Sequence, residues 1–218
     1  MLLVPGWDDQ NPAFYCELAL QFTGRGWVCH TLDLPDPASS QMKAQATREH
    51  NLRDLLAGCD ALAGDPGVDP NAIAIVGVSY GGYLAAFASA MRPVRWLALR
   101  SPAIYRDEGW TTPKEQLDKE DLAAYRQRAL RPHENRVLAA CEAFEGDALV
   151  IESECDDTVP QPTVRTYVAA FERARSLTHR VLPGADHELS RGEWRHAWQL
   201  LLVSWLTQKA QERPQPPN

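Results

Sequence analysis

Apolar residues fall along this chain in two rhythms. Short unbroken runs rich in Val, Ile and Leu alternate with longer stretches in which apolar positions recur every three or four residues. A short continuous run suits a strand covered on both faces, and the three-to-four step suits a helix laying one side on a sheet. The runs lie at 2–5, 27–32, 73–76, 94–99, 148–152 and 177–182, and the helical stretches at 12–22, 43–63, 80–91, 134–144, 162–174 and 193–208. Such alternation predicts the α/β class: a mostly parallel sheet of about six strands with helices on both faces. The last helix carries its buried stripe in Trp194, Ala197, Trp198, Leu201, Leu202 and Trp205, so its tryptophans read as core. Residues 101–133 break the rhythm; they are polar, too long for a plain loop, and predict a small helical excursion. The end, KAQERPQPPN at 209–218, is too polar and proline-rich to bury much surface and reads as a flexible tail. Residues 1–208 therefore read as one domain, a size at which a single core can form.

Composition narrows the partners. Apolar residues at 44% and charged residues at 23% are ordinary for a globular protein. A net charge of −7 argues against nucleic acid or an anionic membrane, since both need a basic face. Cys16, Cys29, Cys59, Cys141 and Cys155 show no CxxC pair and read as reduced thiols. The opening MLLVPGWDDQ lacks a basic region and its apolar run stops at Pro5, so it reads as a strand, not as a signal peptide or membrane span. The expected location is the cytoplasm.

Candidate chemistry centres on IAIVGVSYGGYLAA at 73–86. Its GVSYG fits G-x-S-x-G, a sharp strand-to-helix turn in which Gly77 and Gly81 let the chain close around Ser79 and expose its hydroxyl. A serine hydroxyl is a poor nucleophile unless a base takes its proton. Among the histidines, His30, His50, His133, His179 and His196 fall in or beside predicted elements, whereas His187 lies in LPGADHELS, a loop at the carboxyl end of the sixth strand. Ligands of an open parallel sheet sit at that end. The base needs an orienting carboxylate, and ESECDDTVP after the fifth strand offers both Asp156 and Asp157. Backbone donors for an oxyanion are available at Tyr80, which opens the helix after the serine, and at Trp7 in PGWDD after the first strand.

Together VPGWDD, GVSYGG, SECDDTVP and PGADH resemble the signature segments of the α/β-hydrolase superfamily, across nearly the whole chain. The text VDPNAIAIVGVSYGGYLAA is similar to the nucleophile region of dienelactone-hydrolase-like and prolyl-oligopeptidase-like members. The resemblance implies Ser79 as nucleophile, His187 as base and then acid, Asp156 as the residue orienting it, and the N–H groups of Trp7 and Tyr80 as the oxyanion hole. Two departures stand out. Pro5 occupies the place where the family often has a histidine, and no segment precedes Met1 to supply the usual first two strands. Residues 27–32 would then form an exposed edge, which predicts a homodimer. The excursion is too short for a large cap, but Tyr105 and Trp110 could line the pocket from it, and Trp7 is expected to contact the substrate with them.

These features predict a serine hydrolase, a carboxylesterase that cleaves a small-molecule ester with a small or medium acyl group through an acyl-enzyme, with no cofactor. A peptidase, amidase or lactone hydrolase on the same triad is the alternative within enzymes, and a non-catalytic binding protein on the same fold is the alternative outside them. His133-Glu134 and His187-Glu188 each begin H-E-x-x-H, but Val137 and Arg191 stand at the final histidine positions, so no metal site is expected.

Overall fold

A computed structural model describes residues 1–7, 9, 11–32 and 44–212. Its strands are β1 (Leu2–Val4), β2 (His30–Thr31), β3 (Ala74–Val78), β4 (Trp96–Arg100), β5 (Asp147–Ser153) and β6 (Ser176–Leu182). They form one parallel sheet in the order β2-β1-β3-β4-β5-β6. The helices are α1 (Pro12–Thr23), α2 (Arg48–Ala63), α3 (Tyr80–Ser89), α4 (Lys119–Arg126), α5 (Arg136–Glu142), α6 (Gln161–Ala170) and α7 (Gly192–Gln211).

Alternate residues of each inner strand feed two cores, as the pleat requires. Ile75, Leu97 and Val150 face Leu55 of α2, Leu84 of α3 and Tyr167 of α6. Ala74, Val76 and Leu149 face Leu18 of α1 and Trp198, Leu202 and Leu206 of α7. Every residue of β3, β4 and β5 is buried, which is why these strands read as continuous apolar runs. Within the stripe expected on α7, Trp198, Leu202 and Trp205 are buried, Trp194 and Leu201 are partly buried, and Ala197 is exposed.

Boundaries differ from the sequence expectation where polar groups intervene. The run at 27–32 contributes only His30–Thr31 to the sheet, because β1 is itself three residues long and Trp27 instead packs edge-on against Phe22 and Trp96. The helix expected from 43 begins at Arg48, capped by the Thr47 hydroxyl, which accepts the His50 N–H at 3.1 Å; Lys43 lies outside the described residues. The last helix continues to Gln211, so 209–211 are helical where a tail was expected, and Lys209 bonds Glu212 at 2.8 Å. Residues 213–218 lie outside the described residues.

Between β4 and α5 the chain runs as an irregular strap, a single turn at Lys114–Gln116, the two-turn α4, and a second turn at Pro132–Glu134. The strap is pinned by Arg48, 1% exposed, whose guanidinium donates to the carbonyl oxygens of Arg106 at 2.5 Å and Glu108 at 2.6 Å. Among the described residues no helix is long and apolar enough to cross a membrane.

Candidate active site

Ser79 stands between β3 and α3 with φ 51° and ψ −115°, a backbone state that side chains rarely adopt. Its neighbours make the turn feasible by lacking bulk. A Cβ on Gly77 would lie 2.6 Å from the Gly81 carbonyl oxygen and from Gly82 Cα, and one on Gly81 would lie 2.2 Å from the carbonyl oxygens of Val4 and Pro5. The glycines thus let α3 press against β1 and against the end of β3. The turn is locked from outside as well: the Ser79 N–H donates to the Arg100 carbonyl at 2.9 Å, and the Ser79 carbonyl accepts the Ala103 N–H at 3.0 Å. Strain held in place by surrounding bonds is the usual signature of a functional position.

His187, in the loop after β6, is 6% exposed and brings its ring to that serine. Its Nε2 lies 2.9 Å from Ser79 Oγ, and its Nδ1 lies 2.7 and 2.9 Å from the two carboxylate oxygens of Asp156. Burial pushes the Asp156 carboxyl up. The bond and charge of His187, with the N–H of Val159 at 2.7 Å, outweigh it and hold the group below the usual carboxylate range. An ionised carboxylate only accepts, so Nδ1 carries a proton and donates it; when Nε2 carries none, it is left to accept from the serine hydroxyl. Asp157 does not reach His187: among the described residues its carboxylate accepts only from the Thr158 hydroxyl, at 3.3 Å.

The two expected oxyanion donors lie beside the serine. Tyr80 is the first residue of α3, where an N–H has no intrahelical acceptor. Trp7 follows Gly6, at which a Cβ would sit 3.4 Å from Ser79 Cβ, so this loop passes close against Ser79. Among the described residues the Trp7 N–H makes no backbone hydrogen bond. The Trp7 ring meets Tyr80 edge-on at 5.4 Å, and Lys114 Nζ stands 4.2 Å over it.

Two residues expected to line a pocket are placed elsewhere. Tyr105 is 3% exposed, packed on Tyr80 and Tyr83 between the guanidinium groups of Arg48 and Arg126, so it belongs to the core. Trp110 meets Phe87 edge-on at 5.3 Å, with Arg48 and Arg136 over its ring. Phe87 lies eight residues beyond Ser79, about 12 Å along the helix, which puts Trp110 at the far end of α3. Conversely, Arg100, Ser101 and Ser153 surround the triad although the sequence reading passes over them. The signal that could have found Arg100 is a charge closing an otherwise apolar strand, WLALR.

A parallel sheet with this strand order, a serine on a strained strand-to-helix turn, and a histidine and an aspartate on later loops at the same sheet end define an α/β hydrolase. The chain belongs to the prolyl oligopeptidase family, whose model matches residues 40–213. No curated protein matches it in sequence. Solved structures agree in fold. Est1E from Butyrivibrio proteoclasticus is 12% identical with a TM-score of 0.70, over 97% of this chain and 88% of that one. The esterase domain of a Rhodothermus marinus protein is 16% identical with a TM-score of 0.65, over 95% and 85%. A monoacylglycerol lipase of Paleococcus ferrophilus is 16% identical with a TM-score of 0.65, over 95% and 93%.

Proposed function

We propose that this protein hydrolyses carboxylic esters of small molecules through an acyl-enzyme on Ser79. The observation that carries the reading is the unbroken hydrogen-bond chain from Ser79 Oγ through His187 to Asp156. His187 Nε2 takes the hydroxyl proton as Oγ attacks the ester carbonyl, Asp156 stabilises the resulting imidazolium, and the N–H groups of Trp7 and Tyr80 meet the oxyanion. The imidazolium then protonates the departing alcohol. Water then attacks the acyl carbonyl while giving a proton to Nε2, and the imidazolium returns that proton to Ser79 Oγ as the acyl–oxygen bond breaks and the acid leaves. That an esterase domain and a monoacylglycerol lipase share the fold favours ester over amide as substrate. The short strap between β4 and α5 is too small to form a large cap, which favours a small or medium acyl group.

The family match favours a second reading, cleavage of a peptide bond by the same triad. A panel of p-nitrophenyl esters of graded chain length, run beside peptide and lactone substrates, decides between them: the ester reading requires turnover of short acyl esters to exceed that of any peptide. Ser79→Ala and His187→Ala should each lower kcat on an activated ester by on the order of 10⁴-fold or more while the protein stays folded. Full activity in Ser79→Ala would end both readings.

A further inference from the structure

Arg100 closes β4, and its two ends reach different parts of the triad. Its carbonyl oxygen accepts the Ser79 N–H at 2.9 Å. Its Nη1 donates to the His187 carbonyl oxygen at 2.8 Å and approaches the Ser153 hydroxyl at 3.4 Å. Ser153 ends β5, three residues before Asp156. One residue is thereby tied to the nucleophile, to the base, and to the strand that delivers the acid.

Packing alone gives no reason for a guanidinium here. Arg100 is 6% exposed, its Nε has no hydrogen-bond partner among the described residues, and its planar head lies 5.4 Å over Trp198. Tyr15, Asp156, Asp9 and Glu188 act on it through space, but among the described residues no carboxylate forms an ion pair with it. A buried charge without such a partner is commonly worse for stability than an apolar side chain of equal volume. What the guanidinium does supply is a fixed donor to the loop that carries the base. That loop is itself under tension, with Leu189 at φ 48°, and on the other side of Arg100 the chain passes through Ser101 at φ 41°. Among the described residues, Ser79 is the third non-glycine residue with positive φ.

We infer that Arg100 is a positioning residue: it holds the His187 backbone so that Nε2 stays on Ser79 Oγ while the ring gains and loses its proton. This rests on the serine-hydrolase reading above. The geometric demand is severe, because a misplacement of about 1 Å in a catalytic group can cost on the order of 100-fold in rate. A cavity of ≈ 350 Å³, lined by Tyr15, Arg100, Glu188, Arg195 and Trp198 among others, opens beside the guanidinium and gives a small cation access to it.

The test uses the whole chain, p-nitrophenyl acetate, a fluorophosphonate probe and thermal melting. Labelling of the wild type at Ser79 reports on the serine-hydrolase reading alone, and its absence removes that reading whatever Arg100 does. Given labelling, Arg100→Met should lower kcat by about 10- to 100-fold with KM within about twofold and Tm kept or raised, and Arg100→Lys should retain clearly more kcat than Arg100→Met. Arg100→Ala should recover part of its kcat in methylguanidinium, whereas His187→Ala should not. Wild-type kcat in Arg100→Met overturns the inference, as does an equal fall of kcat and Tm in the Met and Lys variants. Should Arg100→Met fail to fold, Arg100→Ala decides: kcat that rises with methylguanidinium supports the role, and kcat that stays flat overturns it.

Discussion

Asp156 and Asp157 are neighbours of the same chemistry, and only the fold separates them. Asp156 turns back on its own loop, accepting the N–H groups of Thr158 at 3.0 Å and Val159 at 2.7 Å, and that turn aims its free lone pairs at His187. Asp156→Asn should therefore lower kcat by on the order of 10³- to 10⁴-fold, while Asp157→Asn should leave it within about twofold; esterase kinetics of the two variants check this. Acid stability follows from the same contacts. The folded carboxyl titrates below its unfolded value of about 3.9, so it contributes stability above that pH and loses it as pH falls through the folded value. Melting curves should show a wild-type advantage over Asp156→Asn that is full above about pH 5 and fades below about pH 4. In the sequence, Ser79 and His187 were legible because each is singled out by its loop. The choice between two adjacent aspartates turns on one residue of loop register, which SECDDTVP alone does not encode.

Elements decide the fate of the glycines. Gly58 lies within α2, where the nearest atoms an added methyl would meet are those of the Leu2 and Leu32 side chains at 3.6 to 3.7 Å, an ordinary contact. Gly58→Ala should raise stability by about 0.5–1 kcal/mol, through helix propensity and a less free unfolded chain. Gly81 is also helical, yet its methyl would strike the β1 backbone at 2.2 Å. That clash outweighs the propensity gain, and Gly81→Ala should cost about 3 kcal/mol and displace the loop after β1 that carries Trp7. Urea melts of the two variants should move in opposite directions. Element types were readable from periodicity because buried parallel strands are unbroken apolar runs, as in AIVGV and WLALR. Ends were not, because capping and pairing partners decide them: Thr47 starts α2 late, and the brevity of β1 cuts β2 to two residues. Tyr105 and Trp110 were misplaced for a related reason, since an aromatic in a strap looks the same whether it faces a pocket or plugs the core.

For the molecule as a whole, the sheet ends in two unlike margins, His30–Thr31 on one side and the seven residues of β6 on the other. Homodimerisation through the 27–32 margin predicts a dimer mass in light scattering at high concentration, and a monomer alone would exclude it; among the described residues the ladder there spans two residues. Because all strands run the same way, the loops bearing Ser79, Asp156 and His187 open at one end, and turns such as that holding the exposed Glu145 lie at the other. The sulfhydryl of Cys155 is exposed one residue before Asp156, on the sheet end that carries the candidate site. Maleimide coupling to a bead or dye would therefore crowd that end, and a handle installed at Glu145 in a chain with Cys155 and Cys16 replaced by serine would leave it facing the liquid.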